Sequence, residues 1–337
     1  MIKKLFVSEP VIKCFPKHAN ITSILSKHEY FYDWLFSNHI QLFCKLFKET
    51  DTYLDFYEPL HRLHYPLISR QSIDKKVIFG KKDNIISFLI NCLELEYYIY
   101  LSVDTFYIPL YNSNIHRGHD IFVYGFDKNK KIFYVADFFG INYGYDIVDF
   151  QMFQQGVYSQ YSDNNNLKGI QLLKVNQVGI NSTYSLNITQ IKSHLLDYIN
   201  GINTSLKYSN LEEPNLFNGS VCKPDNRIDN YWGIGVYRNL HIAISQDHIP
   251  RTLIRSLHLL YEHKMLMTLR VNYLKNHDKS LSISINTFIE LEKKCLILRN
   301  MVTKSMLKKR GDEKCLVLLN EIAHSDELLI QKLIDQL

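Results

Sequence analysis

The chain has no Cys-x-x-Cys pair, no glycine-rich phosphate loop, no internal repeat and no low-complexity tract. Each gap removes a class. The six cysteines stand far apart, at positions 14, 44, 92, 222, 295 and 315. That spacing is neither a disulfide framework nor a zinc ribbon, so reduced thiols are expected. Gly233-Ile234-Gly235 lacks the third glycine and the preceding strand of a dinucleotide site. No apolar run reaches the roughly 18 residues that a membrane span needs. The N-terminal stretch MIKKLFVSEP is too short and too interrupted for an export signal, so the expected setting is the cytoplasm, away from membranes. A formal net charge of +5 over 337 residues is too dilute to argue for nucleic acid, and the aromatics alternate with aliphatics as buried strands do.

Metal chemistry is not expected either. His116 and His119 are three residues apart, as are His61 and His64, but neither pair has an evident third ligand. His258, Glu262 and His263 miss the inverted zinc-peptidase spacing by one residue. On a helix they would not share one face.

The pattern along the chain predicts an α+β first half and a helical second half, divided as 1–180 and 185–337. Ile21, Ile24 and Leu25 have helical spacing, so a helix is expected from about Lys17 to His28, with Cys14 just before it. Residues 30–48 read equally well as helix or strand, and 51–80 read as irregular. A helix capped by Asp83 is expected over 84–95, and a strand over 97–103. Further on, Gln151–Tyr158 reads as a helix and Gln171–Val175 as a strand. Asn187 with Gln190 fits a capping box for a helix ending at Gly201. Residues 202–229 read as a loop. Long helices should then follow over 250–274, 285–309 and 313–336.

The most informative stretch is HRGHDIFVYGFDKNKKIFYVAD, residues 116–137. Two strand-like runs flank the turn cluster Asp127-Lys128-Asn129-Lys130. With Lys128 at the centre of the turn, opposed residue numbers sum to roughly 256, which sets His119 opposite Asp137. An imidazole and a carboxylate so placed are the base and orienter of a nucleophilic triad. Cys14 is the candidate nucleophile, since the positive end of a helix dipole favours thiolate. The plainer reading makes Cys14 a small buried hydrophobe and the His–Asp pair a polar contact at a sheet edge. Asp104 ends its strand near the hairpin, either as a binding group for an amine or as a turn residue. Glu262 and Arg270 lie on a mostly apolar helix, as a buried ion pair or near an acceptor pocket. Lys293, Lys294, Arg299, Lys304, Lys308, Lys309 and Arg310 form a basic stretch, either a solvated face or a docking surface.

The order Cys14, His119, Asp137 is the layout of papain-like cysteine enzymes. The run His119–Asp127 with Phe133–Asp137 resembles the His–Asp segment of C39-like peptidases. More closely it resembles the N-terminal domain of the butirosin-biosynthesis acyltransferase family. Val103-Asp104, Tyr107-Ile108-Pro109, Tyr261–Lys264, Met267 and Arg270 are similar to that family as well. The resemblance implies a papain/C39-like catalytic domain, and aminolysis: an acyl group leaves an acyl or peptidyl carrier protein and passes to a small amine such as an aminoglycoside, in antibiotic biosynthesis. Cys14, His119 and Asp137 would act as nucleophile, base and orienter. No dissociable cofactor is implied beyond the carrier's phosphopantetheine. Thioesterase and peptidase activities share the layout, and a non-catalytic binding module is the remaining alternative. One departure stands out. Residues 9–13 contain no glutamine to complete an oxyanion hole, which leaves Asn20 or His18 as side-chain donors.

Overall fold

The computed structural model describes residues 1–47, 51–57, 66–79, 85–163, 167, 169–177, 184–208, 230–246, 249–307 and 313–337. The protein is α+β, with antiparallel sheets and a helical C-terminal region. It divides into two compact units. The first holds residues 1–31 and the described part of 66–177. The second holds 32–57, 184–208 and the described part of 230–337. Among the described residues this differs from a division into 1–180 and 185–337: an early segment, 32–57, belongs with the second unit.

The first unit is built on one sheet with strand order β4-β9-β5-β6-β7-β8 and with β1 added along β6. These strands are β1 (Ile2–Lys4), β4 (Ile68–Ile73), β5 (Tyr98–Asp104), β6 (Gly118–Asp127), β7 (Ile132–Phe138), β8 (Tyr143–Asp149) and β9 (Ile170–Val175). Every pairing is antiparallel. One face carries Ile99, Leu101, Val103, Ile121, Val123, Phe133 and Val135, packed against two helices, α4 (Ile85–Glu94) and α5 (Phe150–Tyr158). Asp149 caps α5 by accepting from the N–H groups of Gln151 and Met152. The other face is aromatic: Tyr98 stacks on Phe122, and Tyr124, Tyr134, Tyr143 and Tyr145 follow. Helix α1 (Pro16–Leu25) packs against β7, and its Asn20 Oδ1 accepts from the Tyr143 hydroxyl at 2.7 Å.

Two segments expected to be irregular are strands. Residues 68–73 are β4, followed by the short helix α3 (Lys75–Phe79). In the second unit, α2 (Phe31–Ser37) leads to β2 (Leu42–Phe47) and β3 (Asp51–Phe56). These pair with β10 (Asn230–Trp232) as a small sheet. Strand β8 also escaped the pattern, because Tyr143-Gly144-Tyr145 reads as a turn when its partner strand is not known. The expected Asp83 cap lies outside the described residues.

The helices of the second unit are α6 (Ile188–Ile199), α7 (Val236–Ile244), α8 (Arg251–His277), α9 (Ile285–Leu307) and α10 (Glu313–Ile334). Asn187 Oδ1 accepts from Gln190 N, as a cap should, but the Gln190 amide turns away to Ser37 O and Asn38 Oδ1. Gly201 takes the left-handed conformation, φ +61°, after the helix.

The β6–β7 hairpin departs from the expected register. Asp127 pairs with Ile132, so the turn is centred between Asn129 and Lys130 rather than on Lys128. A β-bulge between Val123 and Gly125 then moves the pairing back by one residue, to Val123 with Val135 and Phe122 with Ala136. Gly125 makes room for β1: a Cβ there would sit 2.6 Å from the Lys3 carbonyl oxygen. Gly125→Ala should therefore push β1 off the sheet and cost about 1–3 kcal/mol in urea unfolding. An unchanged midpoint would show that the close approach is not needed.

Candidate active site

The bulge decides which face Asp137 uses. Without it, the register at the turn would carry on and set Asp137 against Phe122, on the aromatic face. With it, continuing the pairing brings Asp137 to Ile121, on the same face as His119. His119 is then a diagonal neighbour rather than a direct partner. The side chains close the gap: His119 Nε2 lies 3.0 Å from Asp137 Oδ2.

Asp137 is only 1% exposed, whereas the His119 side chain is 37% exposed. A carboxylate only accepts, so Nε2 carries the hydrogen and Nδ1 is the basic nitrogen. Burial pushes the His119 pKa down. The hydrogen bond and charge of Asp137, with the charge of Asp120, pull it up and win, so the imidazole is more basic than usual. Asp120, on the aromatic face, accepts from the Tyr100 hydroxyl at 2.7 Å. Burial raises its carboxyl to about 6, against the opposing pull of Tyr100 and His119.

A third side chain completes the group and had no signal in the sequence. Tyr111 donates its hydroxyl to the same Asp137 Oδ2, at 2.5 Å. Its ring meets His119 edge-on, with centroids 5.2 Å apart and planes at 80°. Tyr111 ends a short 3₁₀ turn, Pro109–Tyr111, closed by Asn112 in the left-handed region. The proline and the asparagine mark a turn in the sequence, but nothing there aims the tyrosine.

Asp104 anchors the loop that carries Tyr111. It is fully buried. Its Oδ1 accepts from the N–H groups of Phe106 and Arg117, and its Oδ2 accepts from Ser159 Oγ at 2.6 Å and faces His116 Nδ1 at 2.7 Å. Burial raises its pKa, but these four partners outweigh it and the net shift is downward. With its oxygens so occupied, Asp104 has the setting of the turn residue rather than of an amine-binding group. His116 is held between Phe106 and Tyr161, with centroids at 4.2 and 4.9 Å.

Cys14 is 3% exposed and lies one residue before Phe15, the cap of α1. That helix has no side-chain cap and no acidic residue in its first turn, which leaves its positive end uncompensated by either. Asn20, on the same helix, has a buried Nδ2 with no hydrogen-bond partner among the described residues. His18 is buried in the same helix.

Glu262 and Arg270 lie in the interior of the second unit. Arg270 donates to the carbonyls of Phe36, Asn38 and His39, and to Met267 Sδ, rather than to Glu262. Glu262 Oε1 lies 3.5 Å from His258 Nε2. The His263 imidazole faces the Ile40 carbonyl instead, at 2.8 Å. Within the basic stretch, Lys294 pairs with Glu321, and Arg299 meets His258 and Asn300. Residues 308–310 lie outside the described residues. Among the described residues no cluster of metal-ligating side chains occurs, and no helix is long and apolar enough to cross a membrane.

No family model matches the chain, and no curated protein sequence matches it.

The charge relation within the pair is directly measurable. In Asp137→Ala, burial still lowers the imidazole pKa while the main opposing influence is gone. The His119 ring should then titrate below its ordinary value of about 6.5 by NMR, against above it in the parent. A midpoint that stays above that value would assign the shift to another group.

Proposed function

We propose that the protein is a cysteine-dependent acyltransferase with a papain/C39-like catalytic unit. It moves an acyl group from a carrier-protein thioester to an amine, as in antibiotic biosynthesis. The observation that carries this reading is the His119–Asp137 pair: a buried carboxylate orients a half-buried imidazole and leaves Nδ1 as a strengthened base. Such a base serves a nucleophile at a helix N-terminus, and Cys14 holds that position.

The reaction balances without a cofactor. His119 Nδ1 takes the Cys14 proton, and the thiolate attacks the thioester carbonyl. The new C–S bond forms as the bond to the carrier's phosphopantetheine sulfur breaks, and the imidazolium returns the proton to that leaving thiol. An amine then attacks the Cys14 thioester and forms an amide. Its proton passes to His119 and on to the departing Cys14 sulfur. Asp137 keeps the tautomer and compensates the imidazolium charge. In the tetrahedral intermediate the oxyanion takes the Cys14 N–H and a second donor, for which the unpartnered Asn20 Nδ2 has the right chemistry. Lys293, Lys294, Arg299 and Lys304 supply positive charge suited to an acidic carrier protein. Glu262 and Arg270, being interior, take no part in this scheme.

Incubation with an acyl-carrier thioester should add one acyl mass to the intact protein, on Cys14, and a primary amine should discharge it as the amide. Cys14→Ala should not acylate. His119→Ala should acylate roughly a hundredfold more slowly or worse. Discharge to the free acid at the same rate with and without amine would make the protein a thioesterase. Transfer that survives in Cys14→Ala would remove the nucleophile.

A further inference from the structure

We propose that Tyr111 is a positioning residue of the His119–Asp137 pair: its hydroxyl fixes and partly neutralises the Asp137 carboxylate, and its ring edge sets the plane of the imidazole. The inference rests on the acyl-transfer reading only for its consequence in catalysis; the coupling itself does not depend on turnover.

Three observations carry it. Asp137 Oδ2 receives both the Tyr111 hydroxyl, at 2.5 Å, and His119 Nε2, at 3.0 Å, while the buried Oδ1 has no hydrogen-bond partner among the described residues. The two donors thus share one oxygen, and each sets how much charge the other meets. The Tyr111 hydroxyl also lies 3.2 Å from the Asp120 carbonyl, one residue along the strand from His119, which pins it beside that backbone. Finally, the loop bearing Tyr111 is closed at its base. Thr105 N donates to Arg117 O at 2.8 Å, and Asp104 ties together Phe106, Arg117, His116 and Ser159. Asp104 therefore acts on the pair through Tyr111.

The physical consequence has a definite sign. A phenol donating to the carboxylate withdraws charge from it. Without that hydroxyl, Asp137 directs more of its charge at His119 and stabilises the imidazolium. Other charges around the pair are Arg117, which lowers the imidazole pKa, and Asp120, which raises it. Tyr100 of β5 and Tyr143 of β8 also feel the Asp137 charge. Tyr111→Phe leaves each of these groups in the chain.

The test is ring-selective NMR of His119 in the full-length protein, without substrate. Tyr111→Phe should raise its titration midpoint by about half a pH unit or more. Incorporating 3-fluorotyrosine in place of Tyr111 keeps the shape, makes the phenol a stronger donor and should move the midpoint down. This second variant decides the matter if Tyr111→Phe does not fold. A midpoint unmoved by the fluorinated side chain, or moved upward, would overturn the proposal and leave Tyr111 as packing. Because no acyl donor is present, this result is independent of whether Cys14 acylates.

Discussion

The site depends on one contact, the hydrogen bond from the His119 imidazole to the buried Asp137 carboxylate. A carboxylate sealed from water costs several kcal/mol unless its charge is compensated. Here the compensation comes from the imidazole and from one phenol on the same oxygen. That arrangement makes His119 a better base and fixes which of its nitrogens faces outward. It also explains why so much nearby structure is polar and tied down. The loop that brings Tyr111 is locked by Asp104, a second buried carboxylate with four partners of its own.

The contact exists because of a backbone irregularity. The turn centre and the bulge each shift the pairing, and their sum is even. An even shift preserves the face of every side chain, whereas an odd one reverses it. Gly125 is part of the same device, since β1 passes too close there for a side chain. The bulge, the glycine and the added strand are three views of one requirement, that Asp137 project from the aliphatic face beside His119.

Much of this was legible in the residues, and the limits are instructive. The hairpin could be read from its β-branched and aromatic runs, and arithmetic on the turn brought His119 to Asp137. The direct register was off by two residues, but the parity, which decides whether the side chains meet, was right. A bulge leaves no mark in periodicity, so the diagonal geometry was not available. Tyr111 was invisible for a different reason: a loop tyrosine acquires a target only when tertiary structure supplies one. Asp104 could be placed at the end of a strand, but its four partners come from three separate stretches of chain. Strand β2 was left open between helix and strand because an aromatic-rich run fits more than one period, and β3, β4 and β8 were not expected as strands. The long helices of the second unit were the easiest elements to read, since their pattern repeats over many turns.

The central claim is that the Cys14 thiol is coupled to the His119–Asp137 pair. The rate of Cys14 alkylation by iodoacetamide as a function of pH tests it most directly, in the parent and in His119→Ala. Coupling predicts a parent thiol that reacts well below the ordinary thiol pKa of about 8.5, and a variant whose profile returns toward that value. Superimposable profiles would contradict the account and leave Cys14 a buried residue with no part in the chemistry of the hairpin.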